Sequence, residues 1–322
     1  MKKVLITGFI VAISLLIIPL GSLSVEEKTV QTLAKNAVAQ KTVSKDTKEK
    51  SDITFRIKTE NGIKELSARE YICGVLAAEM PASFNIEALK AQSVAAFTFA
   101  LYKKEEKRYD EYDLTDNFKT DQSYISEEKQ KEKWGDGFEE KSKKISEAVE
   151  STLGTYLSYN GKPALALYCS LSSGKTNSCA DVFGGEIPYL VSVDSEGDKL
   201  CPDYKSVFSF SIDELKAKLS SINAGPEGDN FFKNIKTANS GLVKALDYGG
   251  KSTTGGKISN LLGLPSSAFT VELSDGAYTF TCFGRGHGVG MSQYGAEFLA
   301  KSGADYKEIL LHYYPGTEIK KL

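Results

Sequence analysis

The sequence predicts an α+β fold, with a largely antiparallel β-sheet core, helical elements and two lobes around a groove. Three observations lead there. Thr155–Tyr159 and Pro163–Tyr168 read as strands around Asn160-Gly161, and Phe269–Leu273 and Tyr278–Phe283 around Ser274-Asp275-Gly276-Ala277; both are hairpin signals. Ser67–Glu79 and Ile86–Tyr102 carry helical periodicity. With 322 residues, 41% hydrophobic and 25% charged, the chain has an ordinary globular composition, enough for one large domain or two smaller ones. A formal net charge of -2 gives no support to a nucleic-acid partner.

The elements follow in chain order. Lys2-Lys3 precedes Val4–Gly21, an uncharged, mostly apolar run long enough to span a bilayer as a helix. Residues 1–23 are therefore expected to anchor the chain in a membrane; a cleaved export signal competes, although no clear Ala-x-Ala site follows. The basic pair stays inside by the charge rule, which puts the rest of the chain outside the cytoplasm. Residues 24–50 lack a lasting apolar period and read as a flexible stalk, leaving 51–322 as the folded module.

Within the module, Asp52–Ile57 alternates as a strand and Asn61-Gly62 signals a turn. Ser67 with Glu70 three residues later has capping-box spacing, and Pro81 stops the helix just after Glu79. Ala88, Ala91 and Ala95 give the second helix a small-residue strip for close packing, with Gln92 among them. Residues 103–150 form a charged subregion with Tyr109, Tyr112 and Tyr124, a turn at Trp134–Gly137 and a helix over Lys143–Thr152. Leu190–Val193 is expected to be a strand, Phe208–Ile222 to include an amphipathic helix, and Gly241–Gly256 to be poorly periodic. Ser292 caps a helix through Leu299, and Tyr306–Leu311 makes a last short one. No internal repeat is present.

Candidate chemistry gathers at three places. Glu79 falls at a helix C-terminus, where the dipole disfavours a carboxylate, and Ala77-Ala78 and Met80-Pro81 add apolar surroundings. A carboxyl kept neutral there suits general-acid work, while a solvated Glu that merely ends a helix is the plain alternative. The loop after Cys169 carries Ser170, Ser172, Ser173, Lys175 and Thr176; its Gly-Lys-Thr triplet lacks the glycine spacing of a phosphate loop, so no ATP site is expected. In Gly284–Ala296, four glycines alternate and one of the two histidines, His287, sits among them. Ordering four glycines costs much backbone entropy, so this is a tightly specified loop and not a linker. With Ser292, Gln293 and Tyr294 it offers hydroxyls and an amide, suited to a neutral polyhydroxylated ligand.

Ala78-Glu79-Met80-Pro81, the Glu87–Ala96 helix, Ser172–Thr176, Gly286–Ala296 and His312-Tyr313-Tyr314-Pro315-Gly316-Thr317 occur in that order. Together they closely resemble the stage II sporulation protein D family of endospore formers, over most of the chain. The resemblance implies a membrane-anchored lytic transglycosylase that cleaves peptidoglycan glycan strands, preferably denuded ones, during forespore engulfment. It implies a place in the mother-cell membrane facing the forespore, beside a cell-wall amidase and a third membrane protein. Through the Ala-Glu-Met-Pro motif it makes Glu79 the catalytic acid and base. It puts glycan contacts at Gln92, at Ser172, Ser173, Lys175 and Thr176, and at Gln293 and Tyr294. The groove between the lobes then holds glycan, and the reaction requires no cofactor. A non-enzymatic wall-binding or scaffold module is the competing reading; it would keep the sugar-facing loops without needing a neutral Glu79.

Departures from the family pattern bear on the cysteines. Relatives often carry arginine where this chain has Phe97, and histidine where it has Cys169. The five cysteines are odd in number, so not all pair within one chain. If the two loops face each other, Cys169, Cys179 and His287 make a sterically admissible zinc site. A Cys169–Cys179 disulfide and free thiols are the alternatives.

Overall fold

A turn and a cap set the first elements. In the computed structural model, which describes residues 53–225 and 230–322, β1 (Thr54–Thr59) and β2 (Gly62–Ser67) pair antiparallel across Glu60-Asn61. Ser67 then caps α1 (Ala68–Glu79): its hydroxyl accepts the Glu70 N–H, and the Glu70 carboxylate accepts the Ser67 N–H, the reciprocal box that the spacing predicts. Asn85 caps α2 (Ile86–Glu106), whose residues from Ala91 to Leu101 are all buried. A helix covered on every side has no exposed amide face, so Gln92 is an interior residue. Phe97 is likewise a core side chain, edge-on to Phe55. It stands among apolar groups and offers no anion contact.

The charged subregion is more ordered than its composition suggests. β3 (Leu114–Thr115) runs parallel to β1, and α3 (Glu127–Trp134) and α4 (Phe138–Thr152) follow. The sequence reading missed α3 and the first turn of α4, because both are charged stretches with few apolar positions to set a period. β4 (Thr155–Tyr159) turns at Asn160-Gly161 as expected. Its return arm pairs only over β5 (Lys162–Pro163); after an irregular run, β6 (Tyr168–Cys169) finds a different partner.

Leu190–Val193, expected as a strand, has no regular pairing. Its carbonyls serve single bonds instead, Leu190 accepting from Cys179 and Val193 from Thr176, around α5 (Cys179–Phe183). The Phe208–Ile222 stretch divides between β7 (Lys205–Ser211), with alternating exposure, and the short α6 (Ile212–Lys218). Residues 241–256 are likewise regular, holding β9 (Val243–Tyr248) after β8 (Phe232–Thr237), then β10 (Lys251–Thr253) and the start of α7 (Gly255–Leu262). β11 (Phe269–Ser274) and β12 (Ala277–Phe283) form the predicted hairpin with the predicted turn. β13 (Met291–Ser292), α8 (Gln293–Lys301), α9 (Tyr306–Tyr313) and β14 (Glu318–Lys321) complete the chain.

The fold is α+β. The described strands form small sheets, β2-β1-β3, β10-β9-β8, β11-β12-β7, β13-β6 and β14-β4-β5, antiparallel except for the β1–β3 and β13–β6 pairs. Two hydrophobic clusters fill it. One joins α1, α2, α4, α8 and α9 through residues such as Tyr71, Leu76, Leu89, Val149, Leu310 and Tyr314. The other lies within 215–282, around Leu246, Tyr248, Ile258 and Phe280. Among the described residues no helix is long and apolar enough to cross a membrane; the expected anchor and stalk, residues 1–50, lie outside them.

Candidate active site

Glu79 is the last residue of α1 and is partly buried. Its Oε1 accepts the main-chain N–H of Ser123 at 2.7 Å, and the Ser123 hydroxyl bonds the same carboxyl. Burial pushes the carboxyl above its ordinary range; the two Ser123 bonds and the Lys133 ammonium pull the other way without cancelling it. Lys133 reaches in from α3, donating to the Ala77 carbonyl at 2.7 Å, and burial lowers its own value. Glu79 also acts on Tyr168: burial raises its phenol first, and the Glu79 charge adds to the rise. Its hydroxyl donates to Gln122 Oε1 at 2.8 Å, and Gln122 Nε2 donates to the Tyr71 hydroxyl at 3.1 Å. The Gln92 amide, 0% exposed, sits beside the Tyr168 phenol without a well-formed hydrogen bond.

The two polar loops do meet. Leu171 and Arg285 form an antiparallel bridge, Asn177 and Val289 a parallel one, and β13 lies alongside β6. All four glycines of the motif have positive φ: Gly284 at 74°, Gly286 at 90°, Gly288 at 70° and Gly290 at 78°. A Cβ at Gly284 would stand 2.7 Å from the Leu171 carbonyl oxygen, and one at Gly290 would overlap the Leu167 carbonyl. The alternating glycines thus let one main chain lie directly on another.

Most polar groups in these loops are consumed by that interlock. Ser172 is 1% exposed; its N–H donates to Asp198 Oδ2 at 2.9 Å and its hydroxyl accepts the Gly174 N–H. Thr176 is 0% exposed, bonded to Val191 and Val193. The Ser173 hydroxyl donates to the Ser240 carbonyl at 2.6 Å, and Lys175 pairs with Asp194 at 2.5 Å. Gln293 is buried, with its Nε2 unpaired. Tyr294 is partly buried and packs edge-on against Phe84, 5.0 Å between ring centroids. Glu297 of α8 accepts the Asn85 N–H at 2.5 Å, which ties that helix to the turn leaving Glu79.

The expected zinc ligands are not arranged as a site. Among the described residues, no three His, Cys, Asp or Glu side chains form a group able to hold a metal ion. His287 Nδ1 accepts the Val289 N–H at 3.0 Å, and its ring also bonds the Tyr168 main chain, so both sides of the imidazole are engaged. Burial holds it neutral, at about 4. Cys169 is buried and bonded by main-chain groups of Gly288 and Leu171, with burial raising its thiol. All five cysteines are free, Cys169 and Cys179 included. His312 Nε2 meets the Asp194 carbonyl at 2.7 Å and its ring packs edge-on to Tyr313.

Sequence reasoning missed Ser123, Lys133, Tyr168 and Asp198. Ser123 is 44 residues from Glu79 and sits in no motif. Asp198 is fully buried, accepting from Ser172 and, at 2.8 Å, from the Ser292 hydroxyl; it joins the two loops from behind.

Comparison with known proteins gives these positions a context. A family model described as stage II sporulation protein (SpoIID) matches residues 56–159. The chain is 37% identical over 295 residues to stage II sporulation protein D of Bacillus subtilis (strain 168), covering 89% of this chain and 85% of that protein. It is 36% identical over 264 residues to the protein of the same name from Bacillus amyloliquefaciens, covering 81% and 76%. A more distant relative, 29% identical over 301 residues, is named amidase enhancer, from Bacillus subtilis (strain 168); the match covers 76% of this chain and 40% of that protein.

Proposed function

Because the chain belongs to the stage II sporulation protein D family, whose members take part in sporulation, we propose that it is a lytic transglycosylase cutting peptidoglycan between N-acetylmuramic acid and N-acetylglucosamine. The observation that carries the reading is Glu79: a carboxyl whose protonated form burial favours, fixed by Ser123 and faced by a lysine. Ordinary glycoside hydrolases place a second carboxylate opposite the acid to serve as nucleophile or to activate water. Here the charged side chain acting on Glu79 is the cation Lys133. A lone acid suits a reaction whose nucleophile belongs to the substrate.

The steps balance without water. Glu79 gives its proton to the glycosidic oxygen, which leaves as the N-acetylglucosamine hydroxyl. The muramyl C6 oxygen forms a bond to C1 as the old C1–O bond breaks, and the C6 hydroxyl proton passes to Glu79. The product is a 1,6-anhydro sugar and the enzyme returns to its starting form. Lys133 favours the ionised carboxyl between the two transfers, while burial favours the neutral acid at the outset. Tyr294, partly buried beside the turn leaving Glu79, is the best placed of the expected glycan contacts. Gln92, Ser172, Thr176 and Gln293 serve in this reading by shaping the groove from behind, and Ser173 and Lys175 by holding its loop.

We place the folded module outside the cytoplasm, anchored through Val4–Gly21, in the mother-cell membrane facing the forespore, with denuded glycan as substrate and a cell-wall amidase and a third membrane protein as partners. The relative named amidase enhancer supports the amidase partner. It also favours the second reading, a non-enzymatic wall-binding member of such a complex. Mass spectrometry of denuded glycan strands treated with the purified protein separates them. Ends in 1,6-anhydromuramic acid are expected; unmodified strands would support the binding module, and ends that gained one water would indicate a hydrolase.

A further inference from the structure

The charged subregion holds Glu79 from outside its own helix. Ser123 lies in the segment Asp121–Ile125, between β3 and α3, and this segment is fixed along its length. Asp121 Oδ2 accepts both the N–H and the hydroxyl of Thr115 at 2.9 Å. Gln122 is buried and bonded to Tyr71, Ala96 and Tyr168. Tyr124 stacks on Tyr71 (5.8 Å, 23°) and lies over Gly74, where any Cβ would overlap its ring. The Ile125 N–H donates to the Gly74 carbonyl at 3.2 Å. The main chain thus crosses α1 at its one position without a side chain between Tyr71 and Glu79.

We propose that Asp121–Ile125 is a strap that gives the two oxygens of Glu79 different tasks: Ser123 keeps Oε1 as a fixed acceptor, and Oε2 alone gives up and takes back the proton. The proposal rests on the transglycosylase reading of Glu79. An amide N–H only donates, so the oxygen it holds is the carbonyl oxygen of the neutral acid, and the proton sits on the other. When that proton leaves, the Ser123 bond persists and strengthens toward the carboxylate. The carboxyl therefore does not turn between the two transfers, and Oε2 stays aimed at the atoms it has just protonated. A single carboxyl acting first as acid and then as base needs that constancy. Ser123 touches no reacting atom; it is a positioning residue. The other groups facing Glu79 are Tyr71 from α1, Tyr168 from β6 and Lys133 from α3, itself faced by Lys141.

The test removes one N–H. Ser123 is replaced by its α-hydroxy acid, so that an ester oxygen stands where the donor was and the side chain is kept. Two readouts are taken on the full folded chain: the carbon-13 titration of the Glu79 carboxyl, assigned by its absence in Glu79→Gln, and the kinetics of 1,6-anhydro product release. The Glu79 midpoint should move upward, since a bond favouring the ionised form is gone. The alkaline limb of the pH–rate profile should move with it, and kcat should fall about 10- to 100-fold with KM within about threefold. A folded ester variant with an unmoved midpoint and unchanged kcat would overturn the strap. Should the ester chain not fold, the Ser123 amide proton of the unaltered chain decides: its NMR shift should move downfield as Glu79 ionises, with the Glu79 midpoint, and an amide shift that does not follow that titration counts against the proposal. The titration needs no substrate, so a protein that makes no anhydro product refutes the transglycosylase reading while the strap is still judged on the midpoint.

Discussion

Glu79→Gln separates chemistry from folding because the two effects have opposite signs. The amide keeps an oxygen able to accept the Ser123 N–H, now 2.7 Å from Oε1, and changes the side chain's volume little. It has no proton to give and cannot take one back, so both transfers fail. Each such transfer contributes about 10²- to 10⁴-fold, and a loss of at least ~10³ in kcat, about 4 kcal/mol of barrier, is expected. On the transglycosylase reading, KM for denuded strands should stay within about threefold, since no proposed glycan-contact side chain is altered. For stability, the folded protein holds the Glu79 proton more tightly than the unfolded chain does. A raised carboxyl contributes stability that is complete below its ordinary value of 4.5 and is lost as pH rises through the folded value. Glutamine carries no such loss. The variant should therefore melt at or above the wild-type temperature at neutral pH, with the gap closing in acid. The assays are mass-spectrometric rates and melting curves across pH. A variant that retains a tenth of the activity, or that melts lower at neutral pH, would refute the assignment of Glu79 as a catalytic acid whose carboxyl burial raises.

Three further outcomes follow from the interlocked loops. Gly290→Ala puts a Cβ against the Leu167 carbonyl at a φ of 78°, and main chain cannot swing aside; a loss of about 3 kcal/mol and a melting point lower by roughly 10 °C are expected by calorimetry. Asp198→Ala strands the buried Ser172 N–H and Ser292 hydroxyl, which should cost about 3 kcal/mol in urea unfolding, while Asp198→Asn, keeping one acceptor, should recover part of it. His287, held at about 4, is depressed from its ordinary 6.5, so its contribution is present above 6.5 and lost as pH falls through about 4. Wild-type stability should drop by up to about 3 kcal/mol across that window from this group, and His287→Asn, whose side-chain oxygen can replace the Nδ1 acceptor, should flatten the drop in acid melting curves.

How much was legible in the sequence depended on how local the determining physics was. The Ser67 box, the Asn160-Gly161 turn, the β11–β12 hairpin and the Ser292 cap are set within four to fifteen residues, and each stands where its spacing puts it. Leu190–Val193 has the composition of a strand but meets Thr176 and Cys179 only through single bonds, and only continuous tertiary pairing makes a strand. α3 carries one buried residue, Gln130, so it leaves almost no apolar period to read. Glu79 could be found because a helix end and a motif marked it. The direction of its shift was also expected, and its leading cause in the structure is burial. What burial requires in return was not legible: Ser123 and Lys133 come from the charged subregion and stand in none of the motifs.

The same reasoning changes the meaning of the glycine motif. Its alternating glycines admit close approach of either a ligand or another main chain, and at Gly284 and Gly290 the space is taken by the chain's own carbonyls. Ser172, Thr176 and Gln293 have little exposed surface, and Asp198 bonds the two loops from inside. A motif this demanding sterically identifies a fold more surely than it identifies a contact. Substitution of the buried members should therefore reduce stability and activity together. Tyr294, which keeps exposed surface next to the turn after Glu79, should behave differently: Tyr294→Phe preserves the packing on Phe84 and loses only the hydroxyl. Its melting point should stay within about 2 °C of wild type while KM for glycan rises about three- to tenfold, as expected for the loss of one neutral hydrogen bond. A Tyr294→Phe protein with unchanged KM would remove Tyr294 from the groove and leave the motif wholly architectural.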